Sequence, residues 1–114
     1  MDKLKLAKIF QMNGSVELPG SKSISNRALL LAALAEGPVT LTNLLESNDV
    51  NRMCEGLQAM GMDLVRDLDA KTATLTGCGG ALPSGDFDLY LENAGTAVRS
   101  MTAALCLGNG TYRV

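Results

Sequence analysis

Lys22, Ser23 and Arg27 stand in the stretch LPGSKSISNRALLLAALAEG, residues 18–37. Ser23 and Arg27 are four residues apart, so on a helix they share a face, with Lys22 just before them. Together they offer an ammonium point charge, a hydroxyl and a planar fork of up to five donors. That chemistry suits a phosphate or a carboxylate. The run from Ala28 to Ala35 is apolar on every side and reads as a buried helix over roughly 23–36. Its start falls among Ser21, Ser23 and Ser25, whose oxygens can cap free backbone N–H groups, and Gly37 with Pro38 supplies its stop. A helix start already carries about +0.5 charge, so two cations there repel its field unless an anion sits among them. The plainer alternative is a capped helix whose Lys and Arg simply reach solvent.

The stretch ENAGTAVR, residues 92–99, repeats this logic. Asn93 and Thr96 can cap, Ala94 and Gly95 leave room for a ligand to approach the backbone, and Arg99 follows in the first turn. Alone this is a weak signal; two such starts in neighbouring units could converge on one doubly anionic ligand set. Neither is a nucleotide-binding P-loop. Gly20 is separated from Lys22 by Ser21 and residue 15 is Ser, so the G-x-x-x-x-G-K-[ST] pattern is broken.

The elements that must position these residues follow from periodicity. KLKLAKIFQM and SVELP flank Asn13-Gly14, a type I′ turn signal, and predict a hairpin whose second strand ends near Pro19. After the buried helix, PVTLTNLL alternates like a strand. Val50, Met53, Leu57 and Met60 recur at helical spacing behind Ser47 or Asn48 as cap, with Gly61 as stop. This is an amphipathic helix on a sheet, and its methionines are core. MDLVRDL and TATLTG read as strands around LDAK. In DFDLYLE, Phe87, Leu89 and Leu91 alternate with Asp86, Asp88 and Tyr90, a half-buried strand with a solvated acidic face. GTAVRSMTAALCLG is a second apolar helix and TYRV opens another strand. Arg27 with ALLLAALAEGPVTL parallels Arg99 with SMTAALCLGNGTYRV, which suggests two copies of one α/β unit, the second cut short. A piece of a longer chain is therefore expected.

The 114 residues suit one domain or part of a larger one, and 46% hydrophobic content makes a packed core plausible. A net charge of −2 gives no global basic field, which argues against nucleic acid and anionic membranes as partners. The absence of histidine removes His-based triads and His-containing metal sites. Cys54, Cys78 and Cys106 form neither a CxxC pair nor a disulfide framework, and Cys106, within AALCLG, reads as a small buried residue. A reducing cytosol fits these cysteines, and neither a targeting segment nor a bilayer-length apolar run stands out.

LPGSKSISNRALLLAALAEG and NAGTAVRSMTAALCLG, with TNLLESNDV between them, resemble the signatures of the 5-enolpyruvylshikimate-3-phosphate synthase family, the enolpyruvyl transferases of the shikimate pathway. The resemblance spans nearly the whole chain, and family chains are several times longer, so it implies an N-terminal fragment. It implies an α/β (α+β) fold of repeated βαβαββ-type units in two domains, with the site in the cleft between them. Residues 1–19 would belong with the distal domain, and 20–114 would form the first unit and the start of the second unit of the N-terminal substrate-binding domain. By resemblance, Lys22 contacts phosphoenolpyruvate, Ser23 and Arg27 hold shikimate 3-phosphate, Asn93 and Gly95 line the phosphoenolpyruvate pocket, and Thr96 supports that loop; Arg99 is structural. The family reaction moves the carboxyvinyl group to the 5-hydroxyl of shikimate 3-phosphate through a tetrahedral intermediate and releases phosphate. No metal or organic cofactor is implied. The acid–base carboxylates belong to the missing C-terminal domain, so the chain alone is expected to be inactive. A cytoplasmic location is implied as well.

Two residues depart from the family pattern. Glu92 stands where close members carry Gly before NAG; its carboxylate could repel phosphoenolpyruvate, pair with Lys22 or Arg99, or point to solvent. Ser100 stands where many members carry Pro, which presets a first helical turn, so Gly95 and Thr96 could shift. Two other readings compete. The related UDP-N-acetylglucosamine enolpyruvyl transferases carry a different lysine motif and often a loop cysteine, whereas Cys106 is expected inside a helix. A non-catalytic anion-binding or folding module made by truncation is the other.

Overall fold

Ser21 sets the first boundary of the computed structural model, which describes residues 2–114. Its backbone is extended (φ −83°, ψ 132°) and its hydroxyl accepts a hydrogen bond from the Ile24 N–H at 3.3 Å. Helix α1, Lys22–Leu34, starts there as its serines predict. It ends earlier than expected, because Ala35 is already extended and the chain enters β1, Glu36–Leu41. Gly37 and Pro38 thus lie in a strand. Proline is tolerated there because β1 is an edge strand. α1 is also not buried all round. Leu29, Leu30, Ala32 and Ala33 are in the core, whereas Ile24 and Leu31 are exposed.

The strand expected through TNLL stops at Leu41, and Asn43 turns the chain with a left-handed φ of 53°, a conformation asparagine tolerates. Helix α2, Asn48–Ala59, is capped by Ser47, whose hydroxyl accepts from the Val50 N–H at 3.3 Å. Val50, Met53, Leu57 and Met60 are buried, so the methionine stripe is core. Strands β2, Leu64–Asp67, and β3, Thr72–Cys78, form an antiparallel pair, and β1 adds antiparallel on the other side of β3, giving the order β1-β3-β2. Val39 and Leu64 both stand opposite Leu75, which is fully buried.

Two glycines fix the height of α1. A Cβ at Gly77 on β3 would collide with the carbonyl oxygens of Ala32 and Ala35 at the end of the helix. A Cβ at Gly20, just before the cap, would collide with the Asn43 carbonyl oxygen and the Leu45 nitrogen. Ser25 completes this second contact, its hydroxyl accepting from the Leu45 N–H at 3.2 Å.

The second unit comprises β4, Asp86–Asp88, helix α3, Gly95–Leu105, and β5, Thr111–Arg113, with β4 and β5 paired in parallel. β4 is shorter than DFDLYLE suggests, although Leu89 and Leu91 are buried as the alternation predicts. Its acidic face is not merely solvated: Arg113 pairs with Asp86 at 2.6 Å and Asp88 at 2.5 Å. Phe87 and Tyr112, opposite each other in the ladder, stack with ring centroids 5.7 Å apart. Cys106 is a correction. It follows the last residue of α3 as its C-cap and is exposed.

The expected N-terminal hairpin does not form. Residues 2–19 contain no strand and are exposed throughout, including Leu4, Leu6, Ile9, Phe10 and Val16. Asn13 lacks the positive φ that a type I′ turn requires at both central residues. A two-stranded hairpin is marginal in water without a surface to cover its apolar face, and none of the described residues supplies one. Among the described residues no helix is long and apolar enough to cross a membrane.

Candidate functional site

All three helices begin at the same end of the molecule, and side chains tie their starts together. Lys22 Nζ, on the first turn of α1, lies 3.1 Å from Asp49 Oδ2 on the first turn of α2. Asn26 Nδ2 donates to Thr96 Oγ1, on the first turn of α3, at 2.7 Å. Each helix start carries a partial positive charge from its unpaired N–H groups, so three such ends and Lys22 create a local positive field in a chain of net negative charge. Asp49 neutralises part of it. Its carboxylate is favoured at a helix start and engages Lys22, whose side chain is still half exposed.

The predicted site residues fall into two groups. Lys22, Ser23 and Arg27 share the first two turns of α1, with Ser23 half-buried and Arg27 exposed. Asn93, Gly95 and Thr96 form the turn into α3, and the Asn26–Thr96 hydrogen bond brings that turn beside α1. Neither Asn93 nor Thr96 caps α3, contrary to expectation. Ala94 is the N-cap and its methyl side chain has no acceptor with which to cap, while the Thr96 hydroxyl is taken by Asn26. Ala94 is buried and offers no approach to a ligand. Gly95 does offer one: nothing lies within 4 Å of where its Cβ would be. Arg99 is exposed on the first turns of α3. Ser100 returns its hydroxyl to the Thr96 carbonyl at 2.5 Å, a local bond that proline could not make.

Glu92 pairs with neither Lys22 nor Arg99, and although it is exposed its carboxylate is engaged by other partners. It accepts from Asn48 Nδ2 at 2.6 Å through one oxygen and from Arg52 Nη2 at 2.8 Å through the other. These two donors, Asn48 first, hold its carboxyl below the usual range. Arg52 in turn donates to Glu55 at 2.6 Å and lies over the Tyr90 ring, 5.6 Å from its centroid. The hydrogen bond to Glu55, then that to Glu92, raises the Arg52 pKa further. Asn48, Asp49, Tyr90, Glu92 and Asn93 line one open cavity of about 560 Å³, beside the Lys22–Asp49 pair. Its walls are mostly polar, and the two charged residues that line it, Asp49 and Glu92, are both acidic and each engaged by a cation.

Asn26 and Asp49 were not among the residues singled out from sequence. A signal for Asn26 was present: it sits on the buried face of α1 with Leu29, Leu30 and Ala33, and a polar side chain there needs a partner. Nothing local reveals that Asp49 meets Lys22.

A family model described as EPSP synthase (3-phosphoshikimate 1-carboxyvinyltransferase) matches residues 6–114. The 3-phosphoshikimate 1-carboxyvinyltransferases of Paraburkholderia phymatum and Burkholderia multivorans are each 54% identical over the whole of this chain. The chain spans 26% of the length of each. An EPSP synthase structure from Acinetobacter baumannii superposes with a TM-score of 0.67 at 30% identity, over 81% of this chain and 21% of that one. The mixed α/β architecture, the two linked helix starts and these likenesses agree, and the chain belongs to the EPSP synthase family.

Proposed function

We propose that this chain is the part of a carboxyvinyl transferase that receives two anionic substrates, phosphoenolpyruvate and shikimate 3-phosphate. The observation that supports the reading is the Asn26–Thr96 hydrogen bond, which joins the two helix starts that carry the predicted anion clusters. Ser23 and Arg27 hold the 3-phosphate of the shikimate derivative. Lys22 meets phosphoenolpyruvate, and Asn93 and Gly95 line its pocket, with the open backbone at Gly95 as the point of approach. Thr96 supports the turn. The reaction adds the 5-hydroxyl across the carbon–carbon double bond of phosphoenolpyruvate, oxygen to the carbon that bears the phosphate and a proton to the methylene, giving a tetrahedral intermediate; phosphate then leaves that carbon as the new methyl group loses a proton, which restores the double bond.

Bringing two anions together costs electrostatic energy, and this chain's share of catalysis is to offset that cost and fix the geometry. Lys22, Arg27 and the helix starts act on charge. The Lys22–Asp49 pair means that phosphoenolpyruvate must share or displace a carboxylate already bound to the ammonium. Proton transfer falls to carboxylates outside this chain, so the chain alone binds and does not turn over. Residues 1–19, whose apolar side chains are uncovered from residue 2 onward, we assign to a distal domain, and residues 20–114 to the substrate-binding domain. The test is an amide NMR titration with shikimate 3-phosphate, repeated with Arg27→Ala. Saturable shifts clustered at residues 22–27 and abolished by the substitution are expected. A well-dispersed spectrum that does not respond to the ligand would sink the reading of a preformed half-site.

A further inference from the structure

Residue 92 has φ of 49°, in the left-handed region that a glutamate adopts only when its surroundings hold it there. What holds it is visible. Both carboxylate oxygens are engaged, one by Asn48 at the first position of α2 and one by Arg52 a turn later. Arg52 is itself fixed on two other sides, by Glu55 at 2.6 Å and by the Tyr90 ring. The turn that follows, Asn93 to Gly95, has only backbone hydrogen bonds of its own, Ala94 N–H to the Leu91 carbonyl at 3.1 Å and Gly95 N–H to the Asn93 carbonyl at 2.9 Å; α3 has no side-chain cap, and beyond the turn the Asn26–Thr96 bond ties it to α1 but not to α2.

We propose that Glu92 is a positioning residue that fastens the Asn93–Gly95 turn to α2 through a two-pronged carboxylate clamp, and so sets where the phosphoenolpyruvate pocket lies relative to Lys22. The pocket assignment rests on the proposed function; the clamp rests on the contacts alone. α2 also carries Asp49, the partner of Lys22, so one helix registers both groups of ligand-binding residues. With glycine at position 92 the left-handed backbone would be relaxed but unanchored. Glutamate exchanges that freedom for a fixed turn. Both oxygens of its carboxylate are engaged, by Asn48 and Arg52, and the Arg52 guanidinium offsets its charge.

The experiment is ¹⁵N relaxation on the full chain and on Glu92→Gly, Glu92→Gln and Asn48→Ala, followed by titration with phosphoenolpyruvate. In the parent chain, order parameters at Asn93–Thr96 are expected near those of rigid backbone, about 0.85. In Glu92→Gly they should fall below about 0.6, while those of β1 and β3 stay unchanged. Glu92→Gln, which keeps one acceptor oxygen, and Asn48→Ala, which keeps the backbone of residue 92, should both fall in between. Phosphoenolpyruvate affinity should drop about tenfold in Glu92→Gly, with the response of residues 22–27 to shikimate 3-phosphate retained. Unchanged order at Asn93–Thr96 in Glu92→Gly and Asn48→Ala would overturn the clamp, as would an equal loss of order across the sheet. If the order parameters behave as expected and the parent chain ignores phosphoenolpyruvate, the clamp stands and the pocket assignment fails.

Discussion

Asn26 shows how one buried amide can decide the geometry of a site. It is fully buried, its donor engages Thr96 at 2.7 Å, and its Oδ1 finds no protein donor among the described residues. Asn26→Leu preserves most of the volume but leaves the Thr96 hydroxyl without its partner; the penalty for a fully buried group is about 1–3 kcal/mol, and Thr96 is only half-buried. The sign is softened because leucine suits the neighbouring core better than an amide with one unpaired end. Urea unfolding should therefore give a loss at the low end of that range, while Gly95 and Thr96 amide shifts move clearly. Large stability loss without movement of those shifts would count against a positioning role. At this scale the sequence was half legible. Lys22 and Arg27 stood out because cations at a helix start oppose its field, and the small residues at 94 and 95 stood out because side chains are missing there. Asn26 on an apolar helix face and Glu92 before NAG are visible in the sequence, but their partners lie 70 and 40 to 44 residues away, so no local pattern names those partners.

Helices were the more legible elements, because burial on one face imprints a period near 3.6 and serine caps mark the start. Ser21 and Ser47 both cap as expected. Strand lengths were less legible, since pairing partners set them. DFDLYLE alternates over its whole length, yet only Asp86–Asp88 finds a partner, the equally short β5. That pair is held by Arg113, which lies across Asp86 and Asp88. Its hydrogen bond holds the Asp88 carboxyl below its ordinary value of 3.8. A carboxylate with a lowered folded pKa adds stability that is fully present above its ordinary value and lost as pH falls through the lowered one. Resonances of β4 and β5 should therefore shift as pH falls below about 3.8, and Arg113→Ala should move this step up to the ordinary carboxylate value. The effect is small, because both partners are largely exposed.

For the whole molecule, the clearest mismatch between pattern and structure is the stretch from residue 2 to residue 19. Its composition is that of strands, and Asn13-Gly14 is a good turn signal, but a hairpin is stable only against a surface, and here it has none. Limited trypsin digestion should cut first after Lys3, Lys5 and Lys8, leaving a product that keeps Ser21 onward intact. Resistance at those bonds would show that the segment is covered in solution, by the rest of the chain or by another copy. The pairing of the two glycine contacts at opposite ends of α1 has a different kind of consequence. Gly20 and Gly77 each let backbone approach backbone closely, so any side chain at either would push an end of the helix off its seat. Under selection for a new ligand, α1 is a fixed rail. Accessible variation is confined to what the rail carries, chiefly Lys22, Ser23 and Arg27. Glycine persists at 20 and 77 through any path that keeps the helix in place, while exposed Ile24 and Leu31 are free to drift.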